Sequence, residues 1–337
     1  MKILICGRDI GPSKSLARVA SAAINRGHAV RAVLFQPLSD WQNLLLWQPD
    51  IVLASPATLD WQDVLALSKA TKTAGIPLAW FCDTYSVFCR PNYAELRSDI
   101  IFVPDETEAK RAQEYGYPKV IASGVPLWEE FRDMSQYLDR KKTRRELGIL
   151  PEQTAVMFLG VKKGEVTLRA LQEVTATLQK IEAPFVFLPR LHPGDENVKS
   201  GLYDKFFADL PLFWENTVSI APSAESLLLA TDMVISLGAT TNICAAFING
   251  PAIDYLPDYV LDNIEAQYGE RVWMPAESGA TLKASSIGEL EQGIKSLLTP
   301  EGQNTLFSRQ REIYPPDLPV GGAAGIIVRE MEKLVKT

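Results

Sequence analysis

The sequence has few of the cysteines and histidines that metal sites and disulfide frameworks require. It also lacks the long apolar runs that membrane-spanning proteins require. Its 337 residues include four cysteines and two histidines. The cysteines show no CxxC spacing, which argues against a zinc site or a disulfide framework. The longest apolar stretch, SLLLATDMVISLGATT, is interrupted by Asp232 and is too short to span a membrane. We therefore expect a cytoplasmic protein with reduced thiols and no bound metal.

The chain also lacks a net positive charge and the common catalytic sequence motifs. The net charge is −7, whereas general nucleic-acid-binding proteins need a strongly positive field, so we expect no nucleic-acid partner. The chain has no GxGxxG, P-loop or GxSxG motif and no DxD pair. These absences exclude the most easily recognised nucleotide-binding and hydrolase sites.

What the sequence does contain is a repeated alternation of short apolar runs and helical patterns. In the first half the runs occur at residues 2–7, 29–35, 50–55, 77–83, 99–105 and 119–126. In the second half they occur at residues 154–160, 184–193, 217–222, 232–238 and 251–257. Strands that are apolar on both faces and separated by helices indicate a parallel sheet covered on both sides. We therefore predict an α/β protein of two Rossmann-like domains that face a central ligand-binding cleft.

A change in composition after residue 126 sets the predicted domain boundaries. Residues 1–126 form the N-terminal domain, and residues 154–320 form the C-terminal domain. Between them, residues 127–153 are charged, contain RKKTRRELG and lack a strand pattern, so we interpret them as a linker. We expect residues 258–285 to be irregular and residues 321–337 to form a final helix.

Four loops are candidate sites, because ligands of doubly wound sheets bind beyond the carboxyl ends of the strands. The first loop, GRDIGPSK at residues 7–14, joins a strand to a helix and suits either an anion or a tight turn. Asp9 in this loop is a candidate general base, and a helix-capping role fits it equally well. Asp83, at the end of another strand in FCDTYS, is the second candidate base.

The second loop, LGVKKG, occupies the matching place in the second half. Gly160 allows a close backbone approach, and Lys162 and Lys163 stand at the start of a predicted helix. This combination suits a phosphate. The alternative is a solvated pair of lysines.

The third loop, PRLHPGD, ends a strongly apolar strand. Arg190 and His192 point to the same side of an extended segment. They are candidates for holding a phosphate or for protonating a leaving group. The alternative for His192 is a loop histidine without such a task.

The fourth loop, SLGATTN, lies between a buried strand and a helix. Its small polar residues and backbone amides suit a diphosphate, and in the alternative interpretation Thr240 is a plain N-cap. The candidate ligand-binding residues are Ser236, Gly238, Thr240, Thr241 and Asn242.

The order of these parts resembles the GT-B glycosyltransferases and the related sugar-nucleotide 2-epimerases. SDIIFVPDETEAKRAQEYGYPKVIASGVPLWEEF is similar to the end of their N-terminal domain, and RRELGILPEQTAVMFLGVKKGE to the start of their C-terminal domain. TDMVISLGATTNICAAFINGPAIDY resembles their donor-binding strand, loop and helix, as in lipid A disaccharide synthase. LPRLHP resembles a His-Pro segment of the epimerases and of CDP-glycerol glycerophosphotransferases.

The resemblance implies a metal-independent glycosyltransferase that uses a nucleotide-sugar donor, in bacterial surface polysaccharide or glycoconjugate synthesis. The second, third and fourth loops would hold the nucleotide diphosphate, and Asp9 or Asp83 would deprotonate an acceptor that the sequence does not identify. The resemblance also implies that the helix at 321–337 crosses back to the N-terminal domain.

Two alternatives remain open within the same fold. One is a sugar-nucleotide 2-epimerase or a CDP-glycerol-type transferase. The other is an inactive binding or assembly protein, because Cys244 stands where many members of the superfamily carry a glutamate that binds the donor ribose.

A peripheral membrane contact is a separate hypothesis. Trp41, Leu44, Leu45 and Trp47 fall near one helical face, and RKKTRR adds a basic cluster. The alternative is that the tryptophans belong to the core and that RKKTRR is a solvated helix face.

Overall fold

A computed structural model describes most of the chain as two compact units. The described residues are 1–36, 41–56, 61–90, 93, 98–137, 139–192, 194–208, 224–315, 317 and 319–336. The first unit comprises Met1–Glu130, Tyr268–Glu270 and Asp317–Thr337, and the second comprises Phe131–Gln267 and Arg271–Pro316. Each unit is built around one parallel sheet, which confirms the predicted α/β fold class.

The first half of the chain forms six parallel strands with helices between them. These elements are β1 (Lys2–Gly7), α1 (Ile10–Asn25), β2 (Ala29–Leu34), α2 (Trp41–Leu45), β3 (Ile51–Ala54), α3 (Trp61–Ala74), β4 (Leu78–Phe81), β5 (Ile100–Val103), α4 (Glu106–Glu114), β6 (Val120–Ala122) and α5 (Pro126–Tyr137). The sheet order is β2-β1-β3-β4-β5-β6. Every residue of β3, β4 and β5 is buried, as expected for strands covered on both faces.

The second half repeats this plan with five parallel strands. Its elements are α6 (Arg140–Glu146), β7 (Thr154–Leu159), α7 (Gly164–Lys180), β8 (Phe185–Arg190), α8 (Asp204–Ala208), α9 (Ala224–Ala230), β9 (Met233–Ser236), α10 (Thr240–Phe247), β10 (Ala252–Tyr255), α11 (Asp258–Tyr268), α12 (Met274–Ser278), β11 (Leu282–Ala284), α13 (Ile287–Leu297), α14 (Pro300–Ile313) and α15 (Gly322–Lys336). The sheet order is β11-β10-β9-β7-β8.

The strand order fixes where each sheet can bind a ligand. Counted within its own unit, each sheet runs 2-1-3-4-5, and the first sheet adds β6. The order in which successive strands are added across the sheet therefore reverses between β1 and β3 and again between β7 and β9, while all the strands stay parallel. Ligands of doubly wound sheets bind at such reversals, beyond the carboxyl ends of the strands.

One segment differs from the sequence prediction, and another is not described. Residues 258–285, expected to be irregular, contain α11, α12 and β11. Helix α11 buries Val260 and Ile264, four residues apart, among charged neighbours that obscure its apolar face. The strand expected at 217–222 lies outside the described residues.

The predicted linker contains two helices, α5 and α6. Arg144 in α6 is buried and donates to Asp232 at 2.8 Å and to the carbonyl of Gln153 at 2.7 Å. Arg140 also donates to Asp232, at 2.5 Å. Part of the RKKTRR cluster is thus bound within the second unit.

The candidate membrane-docking face packs inside the first unit. Leu44 is buried, and Trp41, Leu45 and Trp47 pack against the hydrophobic core around β1 and β3. Among the described residues, no helix is both long and apolar enough to cross a membrane.

The last helix of the chain packs on the first. Helix α15 buries Ile327, Val328 and Met331 and contacts α1. Beside this contact, Glu332 accepts from Arg26 at 3.0 and 2.7 Å and lies 2.7 Å from Nε2 of His28. These hydrogen bonds and charges lower the pKa of Glu332 to about 2.

We expect Glu332→Gln to lower the melting temperature at neutral pH by an amount equivalent to at most about 1 kcal/mol, because the partner Arg26 is largely exposed. A carboxylate with a lowered folded-state pKa stabilises the fold above its unfolded pKa. The difference between variant and wild type should therefore shrink as the pH falls from about 4.5 towards about 2.

Thermal denaturation across pH measures this difference. Glu312→Gln, which removes a partner of the exposed pair with Arg309, is the matched control and should have a smaller effect. A difference that stays constant with pH would show that Glu332 does not stabilise the fold through its charge.

Candidate functional site

The loop after β7 is folded tightly at its start and open at its end. The backbone amide of Gly160 donates to the carbonyl of Arg190 on β8 at 3.0 Å. The hydroxyl of Thr167 both donates to and accepts from the backbone of Val161, at 3.0 Å each. A Cβ at Gly160 would lie 2.7 Å from Cγ2 of Thr167, so this position requires glycine. The loop then leaves Lys162 and Lys163 exposed where α7 begins.

The loop after β8 brings His192 to the same place. Nδ1 of His192 accepts from the amide of Gly194 at 2.9 Å, so the ring proton of the neutral imidazole lies on Nε2. Surrounding atoms displace water from the ring and the cation of Lys162 lies nearby, and both lower the pKa of His192, while Asp195 opposes the shift. His192 is therefore a neutral N–H donor beside a lysine.

A buried aspartate holds this loop in position. Asp195 accepts from the backbone amide and from the side chain of Asn197 at 2.9 and 3.1 Å, and from the hydroxyl of Tyr203. A Cβ at Gly164 would lie 2.9 Å from Oδ1 of Asp195, so the loop rests directly on the first turn of α7. This contact keeps His192 close to Lys162. In the sequence, Asp195 is only the last residue of the PRLHPGD loop and carries no predicted role.

The loop after β9 is organised from within. The hydroxyl of Ser236 donates to Asp254 and accepts from the amides of Gly238 and Ala239, at 3.1 Å each. Asn242 is fully buried and donates to Asp254 at 2.9 Å. The amides of Gly238 and Ala239 are therefore used inside the loop, contrary to the expected cradle of free backbone donors. Ser236 and Asn242 likewise hold the loop and do not face outward.

The remaining predicted residues of this loop are accessible. Thr240 and Thr241 are half-buried at the start of α10, and Ala239 before them supplies no side-chain cap. Gly238 has a φ of +83°, and a Cβ there would lie 3.1 Å from Ile264. The loop thus presents the first turn of α10 at the reversal point next to Gly160.

Asp254 is the centre of a polar network that the sequence did not reveal. It is fully buried in β10 and also accepts from Trp273 at 3.0 Å and from Thr281 at 2.6 Å. Burial raises the pKa of Asp254, and the four side-chain hydrogen bonds oppose that rise. The only sequence signal is an aspartate within the apolar run PAIDYLP.

A pocket of about 330 Å³ adjoins the lysine loop within the second unit. Helices α7 and α11 line it with Lys163, Glu165, Arg169, Tyr259, Asp262 and Asn263, among others. The guanidinium of Arg169 lies 4.0 Å from the ring centre of Tyr259, whose hydroxyl donates to Glu173 at 2.7 Å. Carboxylates and an amide around such a volume suit the hydroxyl groups of a sugar.

In the first unit the structure brings the two candidate bases together. Asp9 precedes α1 and its side chain makes no cap hydrogen bond. A Cβ at Gly11 would lie 2.9 Å from Oδ2 of Asp83, so this carboxylate lies against the first turn of α1. Burial raises the pKa of Asp83 to about 6, Arg90 opposes the rise and Asp9 adds to it. A carboxylate with a pKa near neutrality suits acid–base catalysis.

The first unit contains a further buried carboxylate that the sequence analysis does not predict. Glu108 in α4 is fully buried and accepts from the amide of Ser86 and from Arg111. Burial raises its pKa to about 7, and Arg111 opposes the rise. Its setting in DETEAKRAQ gives the pattern of a solvated helix face, which hides this role.

The cysteines are buried and none forms a disulfide. Burial raises the pKa of the Cys6 and Cys89 thiols to about 12, so both are protonated at neutral pH. Cys244 is buried in α10, next to Ile243 in the core. In the described part of the chain, no cluster of histidine, cysteine and carboxylate side chains is placed to hold a metal ion.

Comparison with known proteins identifies the fold. No family model and no curated protein matches the sequence. Among solved structures, UDP-GlcNAc 2-epimerase from Neisseria meningitidis bound to UDP-GlcNAc is 14% identical, with 99% of this chain and 100% of that chain covered and a TM-score of 0.70. Acinetobacter baumannii MurG is 13% identical, with 98% and 99% covered and a TM-score of 0.61.

A third similar structure is the wall teichoic acid polymerase TagF with CDPG. It is 12% identical, with 99% of this chain and 88% of that chain covered and a TM-score of 0.60. All three have the GT-B fold, and the predicted GT-B fold is confirmed. At these identities the likeness concerns the fold, and the activity has to be argued from the side chains.

We expect Gly160→Ala to destabilise the second unit by about 1–3 kcal/mol, because its Cβ collides with Thr167. The double variant Gly160→Ala with Thr167→Ser removes the colliding methyl and should recover part of this loss. Urea denaturation measures both. Gly288→Ala is the control, since a Cβ there meets nothing within 4 Å. An unchanged unfolding midpoint in Gly160→Ala would contradict the tight loop.

We expect the pKa of His192, followed through the chemical shifts of its ring protons, to lie below the ordinary histidine value of about 6.5. Lys162→Ala should raise that pKa, because it removes a nearby positive charge. Proton NMR follows this directly, since the chain has only two histidines whose ring signals must be told apart. Lys163→Ala is the control. An identical His192 titration in wild type and Lys162→Ala would show that the two side chains are not neighbours.

Proposed function

We propose that this protein is a sugar-nucleotide enzyme that transfers a glycosyl group from a nucleoside diphosphate sugar to a hydroxyl acceptor without a metal ion. The observation that carries this proposal is the cationic group at the β7/β9 reversal. There, Lys162, Lys163 and the neutral donor His192 stand beside a sugar-sized pocket.

The diphosphate leaving group needs its developing negative charge neutralised. Lys162 and Lys163 supply two positive charges at the first turn of α7, where the helix dipole also favours an anion. Arg190 ends β8 opposite Leu159, on the neighbouring strand. His192 supplies an N–H donor from Nε2. Such preorganised donors stabilise a leaving anion in the way that a metal does in other enzymes.

The sugar and the acceptor need different groups. Lys163, one of the proposed phosphate-binding residues, also lines the pocket. The side chains of Asp262 and Asn263 in the pocket are suited to sugar hydroxyls. Asp83 in the first unit is the general base of the proposal, because its pKa of about 6 leaves it ionised at neutral pH and still able to accept a proton. The structure does not identify the acceptor. A role in surface polysaccharide synthesis stays a prediction, and so does peripheral membrane contact.

A second candidate is a sugar-nucleotide 2-epimerase. It is favoured by carboxyl groups with raised pKa values, Asp83 and Glu108, with Asp9 close to the first. It is also favoured by the likeness to an epimerase that binds UDP-GlcNAc. Incubation with UDP-GlcNAc in D₂O separates the two activities, since epimerisation exchanges the proton at C2 with solvent and transfer does not.

We expect a nucleoside diphosphate or its sugar to raise the melting temperature in a panel of UDP, UDP-GlcNAc, CDP-glycerol and related compounds. At 100 times the Kd the gain corresponds to about 2.7 kcal/mol. Lys162→Ala and Lys163→Ala should each reduce this gain, because each removes a positive charge that would bind the phosphates.

Lys142→Ala is the matched control, because Lys142 is an exposed lysine of α6 in the same unit. Release of UDP from UDP-GlcNAc, or of the free nucleotide from another stabilising donor, then tests turnover. If no compound in the panel raises the melting temperature and none is cleaved, the proposed function is wrong. Binding without cleavage or exchange would instead favour the inactive binding protein, which Cys244→Glu would test further.

A further inference from the structure

Arg169 presents a fixed guanidinium group to the pocket between α7 and α11. Its guanidinium carbon lies 4.0 Å from the ring centre of Tyr259, and its Nε donates to Glu173 at 3.3 Å. The centre of the group thus lies against an aromatic ring while one of its nitrogens is hydrogen-bonded. Together these two contacts restrict a side chain that is otherwise among the most flexible.

The carboxylate that holds Arg169 is itself anchored. Glu173, one turn further along α7, accepts from the hydroxyls of Tyr255 and Tyr259 at 2.5 and 2.7 Å. Burial and the hydrogen bond to Glu173 raise the pKa of both tyrosines, so both hydroxyls stay protonated and donate. Because Tyr255 is 1% exposed in β10, this network ties Arg169 to the sheet.

The terminal nitrogens of Arg169 remain accessible to a ligand. Within the described ranges, neither Nη1 nor Nη2 of Arg169 has a hydrogen-bond partner, and the side chain is 60% exposed where it lines the pocket of about 330 Å³. The two N–H groups at the end of a guanidinium match the two oxygens of a carboxylate, and such bidentate pairs are stronger and more selective than single hydrogen bonds. The geometry therefore suits a carboxylate.

The charges that line the pocket agree with this geometry. Asp262 is paired with Arg271, a neighbouring cation. Among the lining residues that the structure describes, Lys163 and Arg169 then stand against one further carboxylate, Glu165, in the first turn of α7. An added carboxylate balances the remaining positive charge, whereas an added ammonium group would increase it.

The position of Arg169 fits the proposed donor. Lys163, one of the proposed phosphate-binding residues, is the N-cap residue of α7, and Arg169 lies six residues further along the chain. At 1.5 Å per residue they are about 9 Å apart along the helix axis. A pyranose ring with a phosphate at one end and a carboxylate at the other spans a distance of this order. Asp262 and Asn263 also line the pocket and suit the ring hydroxyls.

We propose that the pocket selects a donor whose sugar carries a carboxylate, as a uronic acid does, and that Arg169 is the specificity-determining residue that binds this carboxylate through Nη1 and Nη2. The inference rests on the proposed function and adds to it the chemical class of the sugar. Every residue that it uses belongs to the second unit.

The test compares UDP-glucuronate with UDP-glucose, which differ only in a carboxylate or a hydroxymethyl group at C5 of the sugar. By isothermal titration calorimetry we expect the wild type to bind UDP-glucuronate about 10- to 100-fold more tightly, as for hydrogen bonds to a charged group. Arg169→Gln should bind both with equal affinity, because it lacks the cation and the paired N–H groups. Arg169→Lys keeps the charge without the fork, so it should retain only part of the preference.

Arg145→Gln is the matched control, because Arg145 is an exposed arginine of α6 in the same unit. It should keep the wild-type preference. Equal affinity of UDP for the wild type and for Arg169→Gln shows that the variant is folded and that its phosphate-binding residues are intact. Equal wild-type affinities for the two sugar nucleotides, or a preference that survives in Arg169→Gln, overturn the inference and leave the proposed function standing.

Failure of UDP and of both UDP-sugars to bind removes the proposed function, and the carboxylate site is then tested with free sugars. Saturation-transfer NMR measures the binding of D-glucuronate, with D-glucose as the reference, to the wild type and to Arg169→Gln. A glucuronate signal that the wild type gives and the variant lacks supports the site. Signals of equal strength in the two proteins, or no signal in either, refute it.

Discussion

The structure depends on one constraint, the burial of parallel strands on both faces. Strands such as β3 and β9 are buried throughout, so their side chains are fully used in packing and their backbone groups are paired within the sheet. Polar groups that act on a ligand can therefore stand only where strands end and the loops begin. The accessible candidates at Asp83, Lys162, His192 and Thr240 all stand at such ends.

The same constraint explains how much of the fold the sequence predicts. Fully apolar runs of four to seven residues identify the strands, because few other structures need them. Helix α11 was missed, since Val260 and Ile264 form a narrow apolar stripe among acidic residues. The alternation of strands and helices predicts parallel sheets, whereas the order of the strands within each sheet is established only by the structure.

The candidate site was less predictable than the fold, for a physical reason. Sequence patterns identify loops at strand ends, and so they identify the lysines and Asp83. They do not show which polar side chains turn inward. The sequence therefore predicts Ser236 and Asn242 as ligand contacts, whereas in the structure both donate to Asp254. The sequence does not predict the roles of Asp195 and Glu108, because nothing in the residue type distinguishes a buried carboxylate from a solvated one.

The contact between α1 and α15 has a consequence for biosynthesis. Helix α1 precedes residue 26, whereas its packing partner α15 begins at Gly322. A ribosome delivers the chain from its N-terminus, so the part of α1 that α15 covers stays without this partner while nearly three hundred further residues are made. The second unit is then complete in sequence before the first. The contact between α1 and α15 can therefore form only after the last helix of the chain has left the ribosome.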